Sequence, residues 1–204
     1  MTDSHVVHVI DDDAEVRQSL AFLLGSAGFA VRLHESAVAF LDVLAEAQPG
    51  CILTDIRMPD LDGLALQRRL NEAGSSFPVI VMTGHGDVSL AVQAMKAGAI
   101  DFIEKPFDDE TLLSAIRVAL SRQARDSERQ ARIAAIRERL NLLSEREREV
   151  LAGLVAGKPN KIIAYDLGIS ARTVEVYRAN VMTKMQADSL SDLVRMALLD
   201  SESP

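Results

Sequence analysis

The chain has 204 residues, 48% of them apolar and 25% charged, with a mean hydropathy of +0.10, the composition of a soluble globular chain with room for one large domain or two ordinary ones. That composition excludes collagen, disordered acidic tails and disulfide scaffolds, and no run approaches the roughly 18 apolar residues of a membrane span. The formal charge of −8 hides a split: residues 1–121 hold 8 Lys/Arg against 18 Asp/Glu, and residues 122–204 hold 14 against 12, so the halves sum to −10 and +2 and are expected to meet different partners.

From the start, Met1-Thr2-Asp3-Ser4 has neither the basic residues nor the apolar core of a signal peptide, so a cytoplasmic location without a membrane partner is expected. Val6-Val7-His8-Val9-Ile10, Cys51-Ile52-Leu53-Thr54 and Val79-Ile80-Val81-Met82 are apolar on both faces and predict buried parallel strands. Ala30-Val31-Arg32-Leu33-His34 and Phe102-Ile103 supply the second and fifth strands. Between them, residues 14–25, 37–47, 63–73, 88–97 and 110–120 carry apolar residues three and four apart, which predicts helices. Five such βα units predict an open, doubly wound, five-stranded parallel α/β sheet, whose ligand crevice lies at the carboxyl ends of its strands. Cys51, the sole cysteine, lies inside a strand, which leaves no disulfide framework and no thiolate metal cluster.

Residues 122–139 turn to Arg, Gln, Glu and Ala without Gly or Pro, and Glu128 precedes Arg132 by one helical turn. This predicts a helical linker that continues the fifth helix; a flexible loop with helical bias is the competing reading. The last stretch, 144–204, reads as all helical. Ser144-Glu145-Arg146-Glu147 is a capping box, followed by the apolar stripe Val150, Leu151, Leu154 and Val155. Gly157-Lys158-Pro159-Asn160 closes that helix and opens another, with Ile162, Ile163 and Leu167 expected to face inward. Gly168-Ile169-Ser170 is a tight turn in which Ser170 caps a third helix running to Met185, and a fourth covers about 190–199.

Asp11, Asp12 and Asp13 follow the first strand and Asp55 ends the third, so at least three carboxylates are expected to converge on one sheet edge. Such a group repels itself unless protonated or neutralised. Mg²⁺ suits it, because this ion takes a few carboxylates and keeps waters for an incoming phosphoryl group. Thr83 and Lys105, at the ends of the fourth and fifth strands, add a hydroxyl and a fixed positive charge, a combination suited to phosphoryl transfer. Taken singly these residues have plainer roles: Asp12 with Glu15 has capping-box spacing, Thr83 fits a turn, and Lys105 fits a solvated surface. Their coincidence at the same ends of successive strands favours a site. Gly84-His85-Gly86 before Ser89 is only a weak match to a glycine-rich nucleotide loop.

Asp11-Asp12, Asp55-Ile56-Arg57-Met58-Pro59, Thr83-Gly84 and Lys105-Pro106-Phe107 together resemble the receiver domain of two-component response regulators, over about residues 4–121. The resemblance implies a flavodoxin/CheY-like fold. It also implies that a sensor histidine kinase transfers a phosphoryl group to Asp55, with Mg²⁺ held by Asp12, Asp55 and the backbone carbonyl of Arg57, and with Asp11 acting through water. Lys105 is then the phosphoryl contact, Thr83 is drawn towards it, and Phe102 is the switch aromatic that swings inward. A cis peptide at Lys105-Pro106 is implied as well, a form that proline makes accessible. On the fourth helix Val92 and Lys96 are candidates for a phosphorylation-dependent homodimer face, while Val88 and Met95 share the spacing with core packing as the competing reading.

In the second half, two helices joined by Gly168-Ile169-Ser170 form a helix-turn-helix pattern. Val174, Tyr177, Val181 and Met185 make the inward stripe of the third helix, and Arg172, Glu175, Val176, Ala179 and Thr183 the opposite face. Lys158, Lys161, Arg172, Arg178 and Lys184 against Asp166 and Glu175 give residues 158–186 a charge of +3, which a solvated protein-interaction bundle could equally carry. Leu143-Ser144-Glu145-Arg146-Glu147, Asn160-Lys161-Ile162-Ile163-Ala164 and Ser170-Ala171-Arg172-Thr173-Val174 resemble the LuxR/NarL type of DNA-binding domain, and the whole chain is similar to response regulators of the FixJ type. That resemblance implies that Glu175, Val176 and Ala179 face bases of double-stranded promoter DNA, that Lys161, Arg172 and Arg178 approach phosphates, and that Thr173 joins them. Tyr177 stands where many relatives have His, and Ile162-Ile163 replaces a commoner acidic-apolar pair.

The expected organisation is thus a receiver at 4–121, a helical linker at 122–140 and a helix-turn-helix domain of four helices at 141–204. The expected function is a phosphoacceptor regulator rather than an enzyme in the ordinary sense, one that dimerises on phosphorylation, binds promoter DNA and, with RNA polymerase, activates transcription. An aspartyl-phosphate phosphatase is the alternative, but its second acid, two residues after the nucleophile, is here Arg57. A phospho-relay or interaction module without DNA binding accounts less well for residues 170–185.

Overall fold

The computed structural model describes residues 6–84 and 88–201. Five strands, β1 (Val6–Ile10), β2 (Ala30–His34), β3 (Gly50–Asp55), β4 (Val79–Thr83) and β5 (Asp101–Glu104), form one parallel sheet in the order β2-β1-β3-β4-β5. The order reverses beside β1, which leaves the crevice of a doubly wound sheet over the ends of β1 and β3. Strands β1, β3 and β4 are the apolar ones and sit in the middle, where both faces are covered.

Helices α1 (Ala14–Ser26), α2 (Ala37–Asp42), α3 (Gly63–Glu72) and α4 (Val88–Lys96) alternate with the strands. One core packs Leu20 and Leu24 of α1 with Leu112, Ile116 and Ala119 on one face of the sheet. The other packs Phe40, Leu66, Leu70 and Ala94 on the opposite face. The helix expected over 37–47 breaks: α2 ends at Asp42, and Leu44–Glu46 is a separate 3-10 turn. Capping at the start of α1 also differs from expectation, because Asp13, not Asp12, accepts the Glu15 and Val16 amides. Of the Gly84-His85-Gly86 segment, His85 and Gly86 lie outside the described residues, as does the Val88 side chain.

Helix α5 runs without a break from Asp109 to Asn141. The chain divides within it into two compact units, Met1–Ser127 and Glu128–Pro204. In the second unit α6 (Glu145–Val155), α7 (Asn160–Leu167), α8 (Ala171–Met185) and α9 (Leu190–Ser201) follow. Its core joins Ile136 and Leu143 to Val150, Leu154, Ile163, Val174, Val181, Met185 and Leu193. Both Ser144 and Glu147 close the capping box of α6. Gly168, left-handed at φ +65, ends α7, and Ser170 caps α8. Ile162 departs from expectation: it is exposed, because Ile163 takes the inward position of this two-turn helix.

Candidate functional site

Strand register assembles the acidic crevice. Ile10 pairs with Thr54, so the next residues, Asp11 and Asp55, stand side by side; Asp55 pairs with Met82 and Thr83 with Glu104, which carries Thr83 and Lys105 to the same edge. The Lys105 ammonium donates to Asp55 Oδ1 at 2.6 Å and to Asp11 Oδ2 at 3.1 Å. The remaining oxygens are also taken: Asp55 Oδ2 accepts the Arg57 amide at 2.6 Å, and Asp11 Oδ1 accepts the Asp13 amide at 2.9 Å. Lys105 precedes Pro106 through a cis peptide.

Burial separates the roles of the two carboxylates. Asp11 is buried, and loss of water raises its pKa despite the Asp13 amide and the Lys105 charge that oppose the rise. Asp55 keeps part of its side chain open to solvent. Burial by itself depresses the Lys105 ammonium, yet hydrogen bonds and charge from Asp55 and Asp11 outweigh it and its pKa moves up. The ammonium is therefore a fixed cation between the two carboxyl groups.

Three expected residues stand apart from the Lys105 cluster. Asp12 is exposed and, among the described residues, no three His, Cys, Asp or Glu side chains form a group placed to hold a metal ion; the sheet brings two carboxylates onto Lys105 rather than three onto one point. Thr83 is buried, and its hydroxyl donates to the Gly84 carbonyl at 3.3 Å. Phe102, on β5, is exposed. Val92 and Lys96 are both exposed on α4. The hard oxygen donors of Asp11 and Asp55, with solvent access at Asp55, fit an ion such as Mg²⁺, which binds through one or two carboxylates and keeps its waters.

One residue of this site was missed from the sequence. Arg17 Nη1 donates to the Asp11 carbonyl at 2.7 Å and so ties α1 to the end of β1. Its spacing of six from Asp11 matches no local motif, and only the fold reveals it.

On the second unit, Arg172, Glu175, Val176, Ala179 and Thr183 are exposed along one side of α8, while Val174, Val181 and Met185 are fully buried on the other. Thr173 and Arg178 are half-buried at the margins, and Lys161 is exposed on α7. Lys158 is held by Asp166 at 2.8 Å. The far end of α8 is pinned: Lys184 Nζ donates to Glu147 Oε2 at 2.7 Å and to the Leu142 carbonyl at 3.2 Å, and Arg139 reaches the Met185 carbonyl at 3.2 Å. An exposed face of charged, polar and small apolar residues on a helix capped at one end and pinned at the other is suited to a DNA groove.

Comparison with known proteins agrees with both halves. Residues 7–117 match the response regulator receiver domain family, and residues 141–197 match the bacterial regulatory proteins of the luxR family. The transcriptional regulatory protein FixJ of Azorhizobium caulinodans is 58% identical over 204 residues, which cover 100% of this chain and 97% of the relative. FixJ of Rhizobium meliloti is 54% identical, with 100% of both chains covered. The crystal structure of full-length FixJ from B. japonicum is similar over 100% of both chains, at 52% identity and a TM-score of 0.62.

Proposed function

Because the chain belongs to the response regulators of the FixJ type, a receiver domain followed by a LuxR-type DNA-binding domain, we propose that a phosphoryl group on Asp55 governs how the second domain occupies promoter DNA. The observation that carries this reading is the Lys105 ammonium, 2.6 Å from a solvent-accessible Asp55 and 3.1 Å from Asp11. A carboxylate oxygen of Asp55 attacks the phosphorus of a kinase phosphohistidine; the new P–O bond forms as the P–N bond breaks, and the departing imidazole keeps the electron pair. Lys105 then follows the charge onto the phosphoryl oxygens. Asp11, Asp12, Asp55 and the Arg57 carbonyl are the groups that would hold Mg²⁺, which when bound neutralises the acids and the incoming phosphoryl oxygens.

A phosphoryl group adds roughly 1.5 to 2 negative charges and three acceptors. Thr83, now bonded to Gly84, turns to meet them, and Phe102 fills the space behind it. The α4 face bearing Val92 and Lys96 then pairs with a second copy. In the paired molecule Glu175, Val176 and Ala179 read bases, while Lys161, Arg172, Thr173 and Arg178 contact phosphates. RNA polymerase recruited there activates transcription, in the cytoplasm. The working units are a receiver at 4–121, a linker at 122–140 and the DNA-binding domain at 141–204.

The test combines a small phosphodonor and Mg²⁺ with mass, sedimentation and gel-shift measurements on one sample. The expected result is a mass gain of one phosphoryl group, dimerisation and tighter DNA binding, with no gain for Asp55→Asn. A full mass gain in Asp55→Asn places the acceptor elsewhere.

A further inference from the structure

The α4 helix carries the candidate dimer face, and its C-terminal end is held by a dense set of hydrogen bonds. At the C-terminal end the Ala97, Gly98 and Ala99 amides donate to the Gln93, Met95 and Ala94 carbonyls at 2.9, 3.1 and 3.0 Å, and Gly98 adopts φ +96. Ala94 and Ala99 are buried there, and the Ile100 amide continues onto the Val79 carbonyl at 2.8 Å. The Ala97 carbonyl accepts the Asn71 side-chain amide of α3 at 2.7 Å. Beneath the same end lies Gln67, 1% exposed, whose Nε2 is 3.9 Å from where a Cβ on Gly98 would stand.

We infer that Asn71 is a positioning residue of the switch: by clamping the Ala97 carbonyl it makes the C-terminal end of α4 a pivot, about which the helix turns when the receiver is phosphorylated. The inference rests on the proposed role of α4 as the dimer face. Its physical content is a lever. Lys96 adjoins the pivot and stays nearly in place, whereas Val92, five residues from Ala97, is about 7.5 Å along the helix and is swept sideways. Rotation about a fixed end brings Val92 to one defined position; a helix loose at both ends spreads it over many, and a dimer forms only from the matching ones. The clamp thus determines how much of the phosphorylated population is competent to pair.

The experiment uses the full chain with acetyl phosphate and Mg²⁺, and compares wild type, Asn71→Ala and Asn71→Lys. Lysine restores a donor to a helix-end carbonyl. Amide exchange at residues 97–99 reports the clamp, mass reports phosphoryl uptake, and sedimentation reports pairing. Expected for Asn71→Ala are unchanged uptake, exchange at 97–99 faster by about threefold, and a phosphorylated dimer weaker by about the same factor, the effect of one net hydrogen bond partly open to water. Expected for Asn71→Lys is recovery of both. Unchanged exchange in Asn71→Ala, or faster exchange with undiminished pairing, overturns the pivot. If wild type takes up the phosphoryl group and stays monomeric, the dimer-face reading fails instead, a result recognised before any variant is compared.

Discussion

His34 and His8 show how a single side chain fixes a property of the receiver. His8 Nδ1 lies 3.2 Å from His34 Nε2, and its other ring nitrogen is 2.9 Å from the Gln48 carbonyl, with Phe40 and Phe77 packed around the pair. Burial, and then the neighbouring His8, lower the His34 pKa from 6.5 to about 4. A histidine kept neutral when folded binds its proton more readily when unfolded, so its contribution to stability is full above pH 6.5 and is lost as pH falls from 6.5 towards 4. Thermal melts across that window are expected to show a decline in Tm that is flatter in His34→Gln, which keeps a polar partner for His8 and cannot titrate; an equal slope would exclude His34 as its source. Gln67 gives a second case. Its Oε1 is buried with no hydrogen-bond partner among the described residues, and an orphaned acceptor costs more than an apolar group of similar shape. Gln67→Met is expected to raise the urea midpoint, by about 1 kcal/mol of stability.

Elements differ in how plainly the chain announces them. The central strands were legible because β-branched residues run apolar on both faces, and the caps at Ser144 and Ser170 because their side chains bond the helix start locally. The break after Asp42 was not legible, since apolar residues continue through Val43 and Leu44 and no Gly or Pro marks it. Ile162 and Ile163, adjacent on two turns, cannot both face inward, and periodicity could not choose between them. The nature of the receiver site was readable from its residue types, but the insertion of Lys105 between Asp11 and Asp55 depends on strand register, which no spacing encodes. For α8 the same logic gives distinct tests on a promoter duplex selected from a random pool. Arg172→Ala is expected to weaken binding about equally on all sequences and to reduce the salt slope by about 1, the signature of a phosphate contact. Glu175→Ala is expected to relax base preference at one position while leaving that slope unchanged. Lys184→Met leaves the buried Glu147 carboxylate without its cation, and calorimetry is expected to show the unit containing α8 melting about 5–10 °C lower.

At the scale of the whole molecule the proposed pairing has a physical reason in the charge of the DNA-binding unit. Residues 158–186 carry only +3, and affinity for a duplex grows with the number of phosphates neutralised. A single copy is therefore held weakly at physiological salt. Two copies on neighbouring half-sites double the phosphate contacts, and dimerisation converts the second engagement into an intramolecular one. On the proposed scheme phosphorylation need not alter α8 at all; it has only to bring a second α8 within reach. Val92→Asp separates this from a direct effect on the DNA-binding unit, because it places a carboxylate in the proposed seam, at an exposed position of α4 that belongs neither to the acidic crevice nor to α8. The variant is expected to gain the phosphoryl mass, to sediment as a monomer, and to bind DNA with about half the salt slope of the phosphorylated wild type. If it remains monomeric yet binds with the full slope, phosphorylation acts on the DNA-binding unit within one chain, and pairing follows DNA binding rather than causing it.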